Sequence, residues 1–334
     1  MLGAVLAVLS AAAFALNNAA ARRGVVTGTP AQGMVVTIPI GVICFLPIAI
    51  LTGGVARLAQ FRPEAIAWLV GVGLLHFLLG RYSNYRASQL AGVNLTAPVI
   101  QLQVVVTLVL AVVVLHEPCT ALQMIGGALM LVGSFITQRP PRPARSSSNG
   151  EASISVAASS LPTFAPRHAA GYLFASIAAL AYGTTPIMVR TALEGLGPLS
   201  GIVGALIAYT AATVAICLAL FSPPLRRNVI ALKRENLPWF VYSGVFVAAA
   251  QGLFYSAVAV APIMLVVPLM QSALVFRFLF AMWLNPDQEV FNAGVVIGTL
   301  VSILGACLVS IDTNTILNAL AVPEALARLL HWPI

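Results

Sequence analysis

Residues 85–101, YRASQLAGVNLTAPVIQ, and residues 255–271, YSAVAVAPIMLVVPLMQ, decide the fold once one is laid over the other. A shift of 170 positions sets Tyr85 on Tyr255, Ala91 on Ala261, Leu95 on Leu265, Pro98 on Pro268 and Gln101 on Gln271. Working toward the N-terminus, a shift of 168 sets Gly3 on Gly171, Ala7 on Ala175, Ala13 on Ala181, Phe14 on Tyr182, Arg22 on Arg190, Pro30 on Pro198 and Gly33 on Gly201. Toward the other end, a shift of 172 sets Glu117 on Glu289, Gly126 on Gly298 and Gly133 on Gly305. Apolar composition by itself aligns alanines and leucines. It does not keep Pro, Gly, Gln, Tyr and Arg in order along most of a half, so the chain is an internal duplication.

The solvent of the duplicated unit follows from composition. Of 334 residues, 60% are hydrophobic and 8% charged, with a mean hydropathy of +0.98. A soluble domain carries about 25% charged residues, so there is too little polar surface here for a water-facing shell. A cytosolic enzyme, a secreted disulfide scaffold and a disordered chain are excluded. The net charge of +8, from 17 Lys and Arg against 9 Asp and Glu, would suggest nucleic acid in a soluble protein. In a membrane chain it marks cytoplasmic loops instead, and no nucleic-acid partner is expected. Cys44, Cys119, Cys217 and Cys307 form no CxxC pair and no metal-ligand spacing, and read as small hydrophobes. No cofactor or metal is implied. The apolar run Leu2 to Leu16 has no Lys or Arg ahead of it and recurs later, which makes it a transmembrane helix rather than a signal peptide.

A helix needs about 20 mainly apolar residues to cross about 30 Å of hydrocarbon. On that measure ten spans are predicted, at 2–20, 33–53, 65–83, 93–115, 120–137, 169–189, 199–221, 237–258, 262–284 and 290–310. Residues 1–137 and 169–311 form the two repeats, and 138–168 is a Pro-, Ser- and Arg-rich linker with Pro140, Pro141, Pro143 and the run Ser146 to Ser148. In the tail, 312–334, Leu326, Leu329, Leu330 and Trp332 suit a short interfacial helix. Each half has an odd number of spans, so the second enters the membrane in the opposite sense. The expected fold is an all-α integral membrane protein of ten transmembrane helices, arranged as two inverted-topology five-helix repeats around a site near the midplane.

The run from Asn84-Tyr85-Arg86-Ala87 through Asn94, Pro98 and Leu115-His116-Glu117 to Gly126 and Gly133 resembles the signature of EamA domains in the drug/metabolite transporter superfamily. The resemblance covers both halves. It implies a transporter with two EamA repeats and a central cavity lined mainly by the first, third and fourth helices of each. This chain departs in reading Leu-His-Glu where the family has Leu-Gly-Glu, and in a second turn, Leu284-Asn285-Pro286-Asp287-Gln288-Glu289, that is two residues longer.

Candidate functional residues are the polar and helix-breaking ones inside spans. Pro98 and Pro268 each remove a backbone donor one turn into a helix, giving either a gating bend or a static kink. Helical spacing aligns Asn94 with Gln101, and the repeat sets Gln271 opposite; amides at this depth either contact substrate or bond between helices. The first helix carries Ser10, Phe14 and Asn17 on one stripe with Asn18 adjacent, matched by Tyr182 and Thr185 in the sixth, and Tyr255 is the repeat partner of Tyr85. His76 is the one histidine expected deep in the bilayer, where it either relays a proton or is held neutral by a neighbour. Arg277, midway along the ninth span opposite Thr107, faces either a cavity or a structural partner. Arg81, Tyr82, Tyr85 and Arg86 are expected at the cytoplasmic end of the third helix, as an anion-concentrating rim or as ordinary interfacial anchors. The glycine steps Gly294/Gly298 and Gly126/Gly127/Gly133 suit packing within the monomer or with a second copy of the chain.

Three functions compete: a carrier of a small polar metabolite, zwitterionic or anionic; a lipid- or isoprenoid-modifying membrane enzyme; and a non-transporting scaffold. The nine acids are dispersed with none inside a span, which leaves an enzyme without paired carboxylates. The expected partners are the lipid bilayer and a small-molecule substrate. Arg22, Arg23, Arg81, Arg86, Arg139, Arg142, Arg145, Arg167, Arg226, Arg227, Lys233 and Arg234 fall on one side, against Arg57, Arg62, Arg190 and Arg328 on the other. The positive-inside rule therefore predicts a multi-pass inner or plasma membrane protein with a cytoplasmic linker and both termini external. A reporter tag in the linker should be accessible only from the cytoplasm, and labelling from outside would reverse the orientation.

Overall fold

The computed structural model describes residues 1–25, 28–91, 93–116, 120–137 and 168–273, together with 275–276, 279–280, 296–298, 300–301, 304–305 and 308. The main helices are α1 (Leu2–Val25), α2 (Pro30–Leu51), α3 (Pro63–Val72, continuing through Gly73–Gly80 and Arg81–Ala91), α4 (Val93–Leu115), α5 (Ala121–Thr137), α6 (His168–Leu193), α7 (Pro198–Ala219), α8 (Leu237–Val260) and α9 (Ile263–Met270). No strand occurs among the described residues. Six of these helices contain stretches long and apolar enough to cross a membrane, in α1, α2, α3, α6, α7 and α8. The tail and most of the span expected at 290–310 lie outside the described residues.

Helix ends follow local chemistry. Proline opens α2, α3 and α7, where its missing N–H is no loss. Thr29 caps α2 reciprocally with Gln32, the Thr29 N–H donating to Gln32 Oε1 at 2.9 Å and the Gln32 N–H to Thr29 Oγ1 at 3.3 Å. Gln32 Nε2 also donates to the Asn228 carbonyl at 2.8 Å, tying the short helix Pro223–Ile230 to the start of α2. Thr120 and Gln123 build the same box at the start of α5. At the other end of a helix, Arg190 Nη1 donates to the Val258 carbonyl in the last turn of α8 at 2.8 Å, where a cation suits the helix dipole.

In lipid, helices gain nothing by hiding apolar surface from one another, so close packing and interhelical hydrogen bonds hold the bundle. The contacts fall into matched sets: α1 packs on α8 and α3 on α6; α4 packs on α6 and α9 on α1; α2 packs on α8 and α7 on α3; and α2 crosses α7. Thr107 Oγ1 of α4 donates to the Gly183 carbonyl of α6 at 2.7 Å. A Cβ on Gly183 would lie 2.6 Å from Val106 Cβ, so no larger residue allows this approach. In α5, Gly126 meets Gly305 and Gly127 meets Leu108, so these glycines pack within the monomer.

Three details differ from the sequence expectation. The third helix runs past residue 83 to Ala91, because Arg81, Asn84 and Arg86 extend it as polar but helix-competent residues. Of the two proline-bearing helices, α4 is continuous from Val93 to Leu115, whereas α9 ends at Met270 in a turn at Gln271 and Ser272. His116, where the family pattern carries glycine, has φ 51°, the left-handed region that favours glycine. Replacing it should relieve that strain: His116→Gly is expected to raise stability by roughly 0.5–1 kcal/mol, read as a higher melting temperature of the detergent-solubilised protein.

Candidate polar site between the two halves

The site is organised by an irregularity in α3. Between Gly73 and Gly80 the helix widens to π-helical hydrogen bonding, and the Arg81 N–H bonds back to the His76 carbonyl. π turns are rare and concentrate at functional sites. Glycine at both ends lets neighbours in: a Cβ on Gly73 would strike the Ala208 carbonyl of α7, and one on Gly80 would lie 2.7 Å from the Tyr182 ring of α6. The five-residue step brings His76 and Arg81 close in azimuth, among α2, α6, α7 and α8.

His76 is held at both ring nitrogens. Its Nδ1 lies 3.1 Å from Thr185 Oγ1, and Gln251 Nε2 of α8 lies 2.9 Å from its Nε2. The hydroxyl of Thr185 donates to the Tyr182 carbonyl at 3.2 Å, so its oxygen accepts from His76. With Nδ1 donating and the Gln251 amide donating to Nε2, the network assigns the neutral Nδ1–H tautomer. The imidazole also meets the Tyr182 ring at 4.8 Å and the Phe77 ring at 4.9 Å between centroids.

Arg81 lies deeper than a rim residue. It is 7% exposed, Nη1 donates to Thr37 Oγ1 of α2 at 3.0 Å, Cζ stands 5.3 Å from the Phe77 centroid, and the guanidinium faces the Tyr209 hydroxyl of α7. The Tyr209 ring lies tilted against Phe77, 4.1 Å between centroids, and meets Phe45 at 5.6 Å. Every carboxylate among the described residues, Glu64, Glu194 and Glu235, is exposed. The guanidinium therefore has only neutral described neighbours. Tyr255 of α8 is buried near Tyr209, and its hydroxyl has no hydrogen-bond partner among the described residues.

The structure thus brings together His76, Arg81 and Tyr182 from the sequence-derived set, with Tyr255 one neighbour away beside Tyr209. It separates others. Ser243 Oγ donates to Asn17 Oδ1 at 2.7 Å, so Asn17 joins α1 to α8, one turn or two from the Ser10 bond to the Ala250 carbonyl at 2.7 Å. Tyr82 is exposed, edge-on to Phe174, and lies apart from the buried Arg81, as the interfacial-anchor alternative has it. Gln271 lies in the turn after α9. Arg277 falls outside the described residues, as do the side chains of Asn18, Asn94, Pro98, Gln101 and Pro268. Thr37, Tyr209 and Gln251 were missed. A signal for Gln251 existed, since the 170-residue shift sets it on Arg81, two polar residues at equivalent depth.

The family model of the EamA-like transporter family matches this chain twice, over residues 1–139 and 169–311. The chain belongs to that family. It is accordingly a multi-pass membrane protein of the drug/metabolite transporter type. No curated protein matches it. Among solved structures, one titled "Crystal structure of protein" has a TM-score of 0.69 at 17% identity, covering 96% of this chain and 99% of that one, which shows a shared fold.

The His76 network yields a two-step expectation. Gln251→Leu should cost about 1 kcal/mol or more by leaving a half-buried ring nitrogen without its donor, while His76→Phe combined with Gln251→Leu should recover most of that loss. Melting temperatures of the purified EamA protein and the two variants check it.

Proposed function

We propose that this protein is a carrier that moves a small polar metabolite, zwitterionic or anionic, by exposing one central site alternately to each side of the membrane. The observation that carries the reading is the buried polar cluster, drawn from α2 and α3 of one matched segment and α6, α7 and α8 of the other. Polar groups at such depth are costly and mark pathways when they face a shared interface. The His76 bonds to Thr185 and Gln251 join neutral groups, each worth about 1 kcal/mol net, and the Arg81 bonds are charge-assisted, about 1.5–3 kcal/mol, so both kinds can be exchanged for bonds to a polar solute.

Inverted repeats, 1–137 and 169–311, in ten spans complete the reading, with 138–168 as a cytoplasmic linker, 312–334 as a tail, and external termini. Two observations support it. The helix contacts come in partner-swapped sets. Gly41 and Tyr209, related by the 168-residue shift, face one another where α2 crosses α7; a residue can touch its own counterpart only near the axis that relates the copies. Rocking of the two bundles about that axis provides alternating access. The plasma or inner membrane is the site of action.

Purified protein in proteoliposomes should show saturable uptake of at least one anionic or zwitterionic member of a labelled metabolite panel, absent from protein-free vesicles. Folded protein that moves no solute on the panel above that background would end the carrier reading.

A further inference from the structure

We infer that Arg81 is the oxyanion-binding residue of this carrier, and that the substrate is an organic anion bearing a carboxylate or phosphate group, not a cation. The inference rests on the carrier reading and narrows its substrate.

A guanidinium removed from water inside a bilayer needs a counter-charge or a dense set of acceptors. Arg81 is within the apolar stretch Pro63–Ala87 and 7% exposed. Its described neighbours include the Thr37 hydroxyl, the Tyr209 hydroxyl and the Phe77 face, with the His76 and Tyr182 rings nearby, and none is a carboxylate. No carboxylate is available from the predicted spans either, because every acid of the sequence falls outside them. Among the described residues, a guanidinium is thus kept in the core with no anion supplied for it.

The surroundings are built for a guest. Thr37 and Tyr209 bond the guanidinium and Phe77 lies against it, which orients a planar fork of the kind that matches carboxylate or phosphate oxygens in pairs. The Tyr255 hydroxyl, 2% exposed, has no partner among the described residues. Buried hydroxyls in native proteins are almost always bonded, so the unpartnered phenol beside Tyr209 is a further donor next to the residue that the guanidinium faces. The neutral His76–Gln251 pair adds polarity without opposing charge. A cation would meet repulsion from Arg81 and no compensating carboxylate.

The test uses the full-length protein in detergent, with benzoate and methyl phosphate as oxyanion probes, choline as the cation, and phosphatidylglycerol against phosphatidylcholine to separate a solute from a lipid headgroup. Either soluble oxyanion should raise the melting temperature saturably, and choline should not. Arg81→Met should abolish the shift, and Arg81→Lys, which keeps the charge but loses the fork, should weaken binding about tenfold or more. Stabilisation confined to choline, a response to oxyanions that survives in Arg81→Met, a response to phosphatidylglycerol alone, or no response in the wild type would each overturn the assignment. If Arg81→Met does not fold, Arg81→Lys decides: unchanged oxyanion affinity overturns the fork. In proteoliposomes, saturable cation flux unaffected by Arg81→Lys sinks the oxyanion assignment and leaves the carrier intact, whereas absence of any flux sinks the carrier itself.

Discussion

A polar group inside hydrocarbon has to find its partner within the protein, and the architecture of this chain depends on where those partners were found. Ser10 reaches a carbonyl of α8, Thr107 one of α6, Ser243 the Asn17 amide, and His76 uses both ring nitrogens. Each bond is worth little net, yet leaving it unmade at that depth costs several times more. The interhelical hydrogen bonds therefore specify which helix lies beside which. Small residues then allow the approach, as Gly183 does for α4 and Gly41 for Tyr209.

Among the described residues, Arg81 is the buried charged group that this rule does not satisfy in kind. Its neighbours solvate the guanidinium and orient it, but none carries the opposite charge among the described residues. The π-helical stretch that ends on Arg81 is also the least regular part of α3, and it is flanked by glycines that press α6 and α7 close. Irregular backbone and an uncompensated charge at the same place are costs that a purely structural bundle has no reason to bear. A transporter does have one, because its site must be unsatisfied in a way that only substrate completes.

Much of this was readable in advance. Hydropathy located most helix ends to within a few residues, with α4 spanning Val93–Leu115 as expected, but not the ends of α3 and α9. The duplication also held a pointer to the site, since the 170-residue shift sets Arg81 on Gln251, one bonded into the network and the other beside it. Arg81 was nonetheless expected at a rim, because a run of Arg, Tyr, Ser, Asn, Tyr and Arg resembles a helix leaving the membrane. The helix in fact continues to Ala91, with Arg81, Ser83 and Ala87 buried and Tyr82 and Arg86 exposed. Composition over a window cannot report which face of that window another helix covers.

The sequence by itself determined that the chain lives in lipid, where most helices begin and end, and which positions of its two halves correspond. These are local properties, set by hydropathy, capping residues and register along the chain. Only the tertiary structure decided that His76 is clasped by Thr185 and Gln251, that Thr37 and Tyr209 surround Arg81, that α3 widens between Gly73 and Gly80, and that His116 takes a glycine-like conformation. The physical reason is distance along the chain: Gln251 lies 175 residues from His76, and whether two such side chains meet depends on how every intervening helix packs.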